Sequence, residues 1–189
     1  ALMSPCAAAR KGTMTKPDFL KGDPIPAGAT HDWNLGATGS RVWMFSDKRS
    51  TTDARQIMIT EVAKDSPADG ILAVGDVLLG VAGKPFSHDP RTEFGRALTI
   101  AESEAGGGTL ALTRWRTGKT EEVTVTLPVL GTYSATAPYA CPKSQRILED
   151  GCEALAKRVA DPLYDANPIV RSLNALALLA SGDPKYLPL

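Results

Sequence analysis

Short apolar and β-branched segments, separated by glycine-rich turns, run through the middle of the chain. Segments of roughly four to eight such residues, bounded by glycine or proline, are typical of β-strands rather than helices. Their close spacing predicts a compact β-barrel or sandwich. The predicted strands cover residues 41–45, 55–62, 76–83, 109–116 and 121–128.

Capping residues predict two short helices between these strands. The first begins at Ser66, which can act as its N-cap, and ends at Gly70, which can adopt a left-handed conformation. The second begins at Asp89, has proline at its first helical position, and ends before the glycines at 106–108. Its apolar residues recur at helical spacing and predict one buried stripe, formed by Phe94, Ala97, Leu98 and Ala101.

The two ends of the chain differ from this β-rich middle. Residues 1–30 contain prolines and lysines without a sustained period, which predicts an irregular lead-in segment. Residues 129–189 contain two amphipathic helical segments. The domain between them spans 31–128, and the whole pattern predicts an α+β protein with five to six strands, two helices and a C-terminal helical pair. Because two helices bury little apolar surface alone, we expect this pair to dock on the β-rich domain or to open a larger helical domain beyond Leu189.

Composition and charge narrow the range of partners. Twenty-one basic residues balance twenty-one acidic ones, so no long-range field favours nucleic acid. No segment approaches the roughly 18 apolar residues of a membrane span, and the N-terminus lacks the apolar core of an export signal. A chain that begins at Ala1 is either a processed form or a shortened one, and of these we favour an exported, periplasmic or extracellular protein.

The residue types that carry catalysis or bind metals do not form a recognisable site. Cys6, Cys141 and Cys152 match neither zinc-binding nor redox spacing, so we expect no metal and no cofactor. Cys141 and Cys152 lie too far apart along one predicted helix to bond each other, whereas Cys6 could pair with either; free thiols are favoured. The histidines at 31 and 88 each precede an aspartate, but no serine lies in a Gly-x-Ser-x-Gly turn. We therefore expect a protein that is not an enzyme.

One motif resembles a known family. The segment SPADGILAVGDVLLGVAGKP, residues 66–85, resembles the PDZ domain, in which a short helix leads into Asp-Gly-x-Leu-x-Val-Gly-Asp and then a strand that ends at a glycine turn. The resemblance implies a PDZ-like fold over 31–128. Independently of this resemblance, the glycines at these turns permit positive φ, and an aspartate can stabilise the second turn through its side chain. The matching residues are Asp69, Gly70, Leu72, Val74, Gly75, Asp76, Val77, Leu78, Val81 and Gly83.

The resemblance also implies a function. PDZ domains add an extended peptide as a strand, and the amides of a glycine-containing loop hold its terminal carboxylate. Here that loop would be residues 33–39, similar to the form in bacterial stress proteases, followed by a groove strand at about 38–45 and faced by the start of the second helix. Valine at Gly36 is then expected to block the carboxylate site and spare the core. The implied peptide-binding residues are Asn34, Leu35, Gly36, Ala37, Thr38, Val42, Glu93, Ala97 and Ile100.

The chain departs from the family pattern at three of these positions. Asn34 and Ala37 replace two residues of the usual Gly-Φ-Gly-Φ loop, in which Φ is apolar. Glu93 stands where many PDZ domains have a histidine that reads the ligand, and a glutamate would not select the same hydroxyl-bearing peptides. The amides of residues 35–37 would still be able to hold a carboxylate, which leaves the side-chain specificity open.

Three functions fit these observations. The first is a module that captures a protein or peptide C-terminus. The second is a structural docking domain whose groove is filled by its own lead-in at 17–33 or by its helices. The third is a substrate-positioning part of a larger enzyme whose catalytic residues lie in a helical region beyond Leu189. Segments 31–39, 53–59 and 131–139 also resemble a bacterial family of uncharacterised proteins with a PDZ domain ahead of a helical region, and this resemblance implies no known reaction.

Overall fold

The fold is described from a computed structural model that covers residues 15–29, 32–48, 50–161 and 167–188. Within these ranges the protein is α+β, with one antiparallel seven-stranded sheet and three α-helices. The chain divides into two compact units. The first runs to Ala101 and resumes over Gly106–Pro128, and the second contains Glu102–Ala105 and the chain from Val129 onward. Cys6 and His31 lie outside the described residues.

The sheet belongs to the first unit and contains every strand that the sequence predicts. Two further strands of two residues each, β1 and β5, carry no periodic signal of their own. The strands run β1-β2-β3-β4-β6-β7 across the sheet, and β5 pairs with β4. Their bounds are β1 (Trp33–Asn34), β2 (Ser40–Met44), β3 (Ile57–Val62), β4 (Val77–Val81), β5 (Lys84–Pro85), β6 (Thr109–Arg116) and β7 (Lys119–Thr126).

The sheet is open, so the closed barrel that the strand spacing suggested is wrong. β1 and β7 stand at opposite ends of the strand order. Within the described ranges no ladder joins them. A barrel requires its first and last strands to pair, and β1 is only two residues long. The strand at the β1 end therefore lies at an edge.

The two faces of the sheet bury different elements, because successive side chains of a strand point to opposite sides. On one face, Val42, Met44 and Leu78 pack with Phe94 of helix α1 (Pro90–Ala101) in the larger core. On the other face, Trp43 and Val77 form a smaller cluster with Phe19 of the lead-in. The lead-in therefore packs on the sheet face that α1 does not cover.

Phe19 anchors the lead-in through both its ring and its backbone. Its ring meets that of Trp43 edge to face, with 5.7 Å between the centroids. Its amide donates to Oε1 of Gln56 at 2.7 Å, and Nε2 of Gln56 donates in turn to Asp18 Oδ1 at 2.8 Å. The second functional alternative placed residues 17–33 in the groove. Of these residues, Phe19 is held on the far side of the sheet, whereas Trp33 belongs to β1.

Helix α1 begins as predicted and buries Phe94 and Ala101 of the predicted stripe, with Ala97 and Leu98 half-buried, whereas the shorter helix at 65–70 does not form. Residues 64–71 are a series of turns. The Ser66 hydroxyl, predicted to be the N-cap, is buried without a hydrogen-bond partner. The side chain of Asp69 instead accepts from the amide of Asp65 at 2.8 Å, which stabilises a turn rather than a helix.

The brace predicted at Asp76 is present. Asp76 is 1% exposed, and its carboxylate accepts from the amide of Ala73 at 2.8 Å. Nε and Nη2 of Arg116 on β6 donate to the same carboxylate at 2.6 and 2.8 Å. This pair joins the turn before β4 to the sheet, and Asp76 raises the pKa of Arg116 above its ordinary value.

The second unit contains helices α2 (Pro142–Ala160) and α3 (Pro168–Ala180). Asn167 caps α3 as predicted, since its side chain accepts from the amide of Ile169 at 3.0 Å. The pair encloses a small core of Cys152, Val159, Leu178 and Tyr186. Cys141 and Cys152 are buried free thiols. The described helices are all too short or too polar to cross a membrane.

Candidate peptide-binding groove

The loop between β1 and β2 is a compact reversal held by its own polar groups. The amide of Leu35 donates to the carbonyl oxygen of Ser40 at 3.0 Å. The Thr38 hydroxyl donates to the Leu35 carbonyl at 3.1 Å and accepts from the Ser40 amide at 3.2 Å. Thr38 has no exposed surface. Its side chain therefore supports the loop from inside, and the expectation that it contacts a peptide is wrong.

The predicted groove strand is already paired at its outer edge. β1 lies antiparallel to β2, with Trp33 opposite Val42 and Asn34 opposite Arg41. Val42 also has no exposed surface. The expected peptide contact at Val42 is thus wrong, because the residues that lead into the loop fold back and occupy this edge. The edge strand that faces helix α1 is therefore β1 rather than β2.

Backbone alternation determines which groups of β1 face outward. In an antiparallel ladder, residues alternate between pairing inward and pointing their N–H and C=O groups away from the partner strand. Because Leu35 pairs with Ser40 through its amide, Asn34 is at a position whose backbone groups point away from β2. The outer edge of the sheet therefore presents the main chain of Asn34.

One amide of the expected carboxylate site has a displaceable partner. The amide of Gly36 donates to the side-chain oxygen Oδ1 of Asn34 at 2.6 Å. Both residues are exposed. The Asn34 side chain thus forms an Asx turn with a residue two positions further along the chain. Its oxygen occupies the position at which a ligand oxygen would accept from the Gly36 amide. Of the three amides predicted to hold a carboxylate, those of Leu35 and Gly36 already donate within the loop.

Gly36 is constrained by both its backbone and its neighbour. Its φ is +60°, and a Cβ added there would lie 2.9 Å from Cδ2 of Leu98 on α1. A valine at this position would therefore strain the backbone and displace a core side chain. The expectation that such a substitution spares the core is wrong.

A cavity of about 280 Å³ lies between this loop and the first three turns of α1. Its floor is apolar, because Leu35 and Phe94 are buried core residues whose side chains line it. Pockets of this kind, with an apolar floor and a few polar groups at the rim, are typical ligand sites. Its lining consists of Trp33, Asn34, Leu35, Gly36, Met44, Ile57, Pro90, Arg91, Phe94, Gly95 and Leu98.

The helix residues predicted to face the loop lie on the other side of α1. Glu93, Ala97 and Ile100 line a separate cavity of about 400 Å³. The reason is helical rotation: residues at i, i+3, i+4 and i+7 share a face, and here that set starts at 91 rather than 93. The carboxylate of Glu93 accepts from the amide of Ser87 at 3.1 Å and from its hydroxyl at 2.8 Å. Glu93 therefore stabilises the segment before α1 and is not a residue of this groove.

Arg91 is the residue of the groove that the sequence interpretation missed. Its guanidinium lies 4.9 Å from the centroid of the Trp33 ring. Its Nε and Nη2 donate to Asp89 at 3.2 and 2.9 Å, and this carboxylate also accepts from the hydroxyl of Thr51 at 2.6 Å. The stacking and the paired hydrogen bonds hold a positive charge at the mouth of the cavity. The sequence could have indicated this role, because Arg91 precedes the buried Phe94 by one helical turn and therefore lies on the same face of α1.

The carboxyl of Asp89 is strongly acidic in this arrangement. Hydrogen bonds from Arg91, with a smaller contribution from the Thr51 hydroxyl, lower its pKa to about 2 against the opposing effect of burial. Asp89 in turn raises the pKa of Arg91. Both groups are therefore charged across the physiological range, and Arg91 keeps a fixed orientation over Trp33.

Comparison of the chain with protein-family models, with curated proteins and with solved structures finds no match.

Proposed function

We propose that the first unit is a peptide-binding module that captures the C-terminus of an extended peptide in the groove between β1 and α1. The observation that carries this proposal is the apolar cavity of about 280 Å³, which is bordered by an edge strand on one side and a helix on the other. This combination suits β-augmentation, in which main-chain hydrogen bonds supply affinity and a side-chain pocket supplies specificity.

Each part of the ligand has a matching group in the groove. The peptide backbone pairs with the outward-facing main chain of Asn34, so the added strand extends the sheet beyond β1. An apolar terminal side chain enters the cavity against Phe94 and Leu98. The terminal carboxylate replaces Oδ1 of Asn34 at the Gly36 amide, which exchanges a neutral hydrogen bond for a charge-assisted one.

Arg91 makes the groove favour a negatively charged end. The guanidinium uses Nε and Nη2 for Asp89, and an arginine has five N–H donors in total. Donors therefore remain for a carboxylate at the mouth of the cavity. Because Asp89 balances the charge of Arg91, we expect Arg91 to orient the ligand more than it attracts it from a distance.

The test is a library of peptides with random C-terminal sequences, each prepared with a free carboxylate and as its amide. We expect free peptides that end in an aliphatic residue to bind. Amidation should weaken their affinity by about tenfold, because it removes a charge-assisted hydrogen bond. Arg91→Gln should weaken the free peptides and leave the amides unchanged. Equal binding of both forms would contradict the proposal.

A second candidate is a docking domain that accepts no peptide, because its groove is closed by its own chain. The pairing of β1 with β2 at Arg41 and Val42 favours it. This candidate expects no binding from any peptide in the library at millimolar concentration. It also expects that disruption of the pairing between β1 and β2, for instance by Trp33→Pro, allows a peptide to bind at the edge of β2, where the original chain binds none.

A further inference from the structure

The cavity on the other side of α1 is a second concave surface of the first unit. Its volume is about 400 Å³, and it lies between α1 and the ends of strands β4, β5 and β6. Val81 and Leu110 form a buried apolar floor, and Ile100 stands at the rim with 65% of its surface exposed. The lining is Val81, Ala82, Lys84, Pro85, Glu93, Arg96, Ala97, Ile100, Thr109, Leu110 and Ala111.

The charges at the rim of this second cavity are not balanced. Lys84 and Arg96 both line it, and in the part of the chain that the structure describes the side chain of neither has a hydrogen bond or an ion pair. The one acidic side chain of the lining, Glu93, accepts from the backbone and hydroxyl of Ser87 and from the amide of His88. By contrast, Arg91 and Arg116 of the same unit both pair with carboxylates. Two cations thus remain for an anion from outside.

The long strands beside the second cavity, β4 and β6, do not offer an edge for another strand, and β5, which among the described strands pairs only with β4, is two residues long and ends in a proline that has no N–H. Val81 of β4 lies between Lys84 of β5 and Leu112 of β6. The amide of Ala82 donates to the carbonyl oxygen of Ala111 at 3.0 Å, and Leu110 pairs with Val125 of β7. β-Augmentation therefore suits the peptide groove and not this cavity. A ligand here has to be recognised through side chains, with an apolar body and a negative end.

From these observations we propose that the second cavity binds an aliphatic monocarboxylate, a small amphipathic anion. Its hydrocarbon tail lies on Val81, Ala97 and Leu110 under the cover of Ile100. Its carboxylate pairs with Arg96, whose planar guanidinium matches two oxygens, and with the nearby charge of Lys84. The site is independent of the peptide groove because the two cavities lie on opposite sides of α1 and share no lining residue.

The experiment is a titration of the whole chain with decanoate below its micelle concentration, followed residue by residue through amide NMR shifts. We expect the largest shifts at Ala97, Ile100, Leu110 and Ala111. In the series hexanoate, octanoate, decanoate, affinity should rise by about fourfold for each CH₂ that is buried. The alcohol decanol tests the role of the charge and should bind roughly tenfold more weakly.

Variants locate the two ends of the ligand. Arg96→Gln should weaken decanoate by roughly tenfold and leave decanol unchanged, whereas Arg91→Gln, on the other side of the helix, would weaken decanoate only if decanoate bound in the peptide groove, which would contradict the proposal. Ala97→Phe fills the cavity from a helix and should remove both ligands; its far-ultraviolet circular dichroism verifies that the unit remains folded. If Arg96→Gln leaves decanoate affinity unchanged, the proposal is wrong.

Two other outcomes would also overturn the proposal. One is equal affinity for decanoate and decanol, which would mean that the cations do not participate. The other is a set of shifts confined to helix α3, where Leu173 and Leu176 are 59% and 60% exposed and offer an alternative apolar surface.

Discussion

The side-chain oxygen of Asn34 lies 2.6 Å from the amide nitrogen of Gly36 and accepts its hydrogen. This contact places a neutral oxygen where the proposed ligand has a carboxylate oxygen. The contact closes the loop in the absence of a peptide, so the proposed ligand would have to displace only an exposed side chain. The same relationship makes Asn34 the residue at which binding is most easily changed.

Removal of the Asn34 side chain should strengthen peptide binding. In Asn34→Ala the Gly36 amide no longer has its intramolecular acceptor, so the ligand does not compete with a bond that is commonly worth about 1 kcal/mol. We expect the Kd of a free C-terminal peptide to fall by about fivefold, as measured by calorimetry. Asn34→Asp is the matched variant of nearly equal shape. Its negative charge should repel the ligand, and tighter binding by Asn34→Asp would argue against carboxylate capture at Gly36.

The Asp89 carboxyl should contribute to acid sensitivity between pH 4 and pH 2. Its pKa is lowered from 3.8 to about 2 in the folded protein, so the folded state favours the ionised form. The stabilisation is present above the unfolded pKa and is lost as the pH falls through the folded one, with a full value of roughly 2 kcal/mol. Urea unfolding of the original chain and Asp89→Asn should show a difference in stability at pH 5 that shrinks toward pH 2. A difference independent of pH would contradict the Arg91 pairing.

The pair formed by Asp76 and Arg116 should dominate the stability of the turn before β4. Asp76→Ala leaves the amide of Ala73 without its acceptor and removes the partner of Arg116. Because Arg116 is 40% exposed, its charge stays solvated in this variant, and the main loss is the acceptor of the Ala73 amide, which typically costs about 2 kcal/mol. Thermal unfolding followed by circular dichroism measures this cost. The control is Asp69→Ala, at an exposed turn position, for which we expect a cost below about 1 kcal/mol; equal costs would mean that burial of Asp76 is not the cause.

Cys141 should titrate in an unusually low range for a thiol. The nearby hydroxyl of Ser144, together with the amide of Ser134, which donates to its Sγ at 3.3 Å, lowers its pKa from 9.0 to about 6. The folded state thus favours the thiolate, and this stabilisation is present at high pH and is lost as the pH falls through 6. Thiolate absorbance at 240 nm should rise near pH 6 and should lose this step in Cys141→Ser. Ser144→Ala should move the step toward higher pH, and an unchanged step would contradict the hydrogen-bond origin.

Residue pattern was sufficient for the elements that bury apolar side chains at a regular period. The β6 strand was predicted at its observed bounds, and α1 begins at the proline after Asp89. The brace at Asp76 was also predictable, because a glycine followed by aspartate before an apolar strand is typical of a tight turn. These features depend on interactions between residues that are close in the sequence, so the sequence alone is sufficient to predict them.

The parts of the groove that were mispredicted depend on tertiary contacts. β1 has two residues and therefore no period, so its pairing opposite Val42 could not be inferred. The stripe of α1 is wide enough to leave its rotation undetermined, and packing of Phe94 decides that Arg91, not Glu93, faces the loop. Ser66 has the residue type of an N-cap, but the side chain of Asp69 accepts from the amide of Asp65 and stabilises a turn at this position instead.

The most direct test of the peptide groove is the amide resonance of Gly36 during titration with one bound peptide in its free and amidated forms. Capture of the C-terminus should give a large downfield proton shift of Gly36 with the free carboxylate, a much smaller one with the amide, and accompanying shifts at Phe94 and Leu98 with both. A Gly36 resonance that does not move, or that moves equally with the two forms, would contradict capture of a C-terminus between β1 and α1.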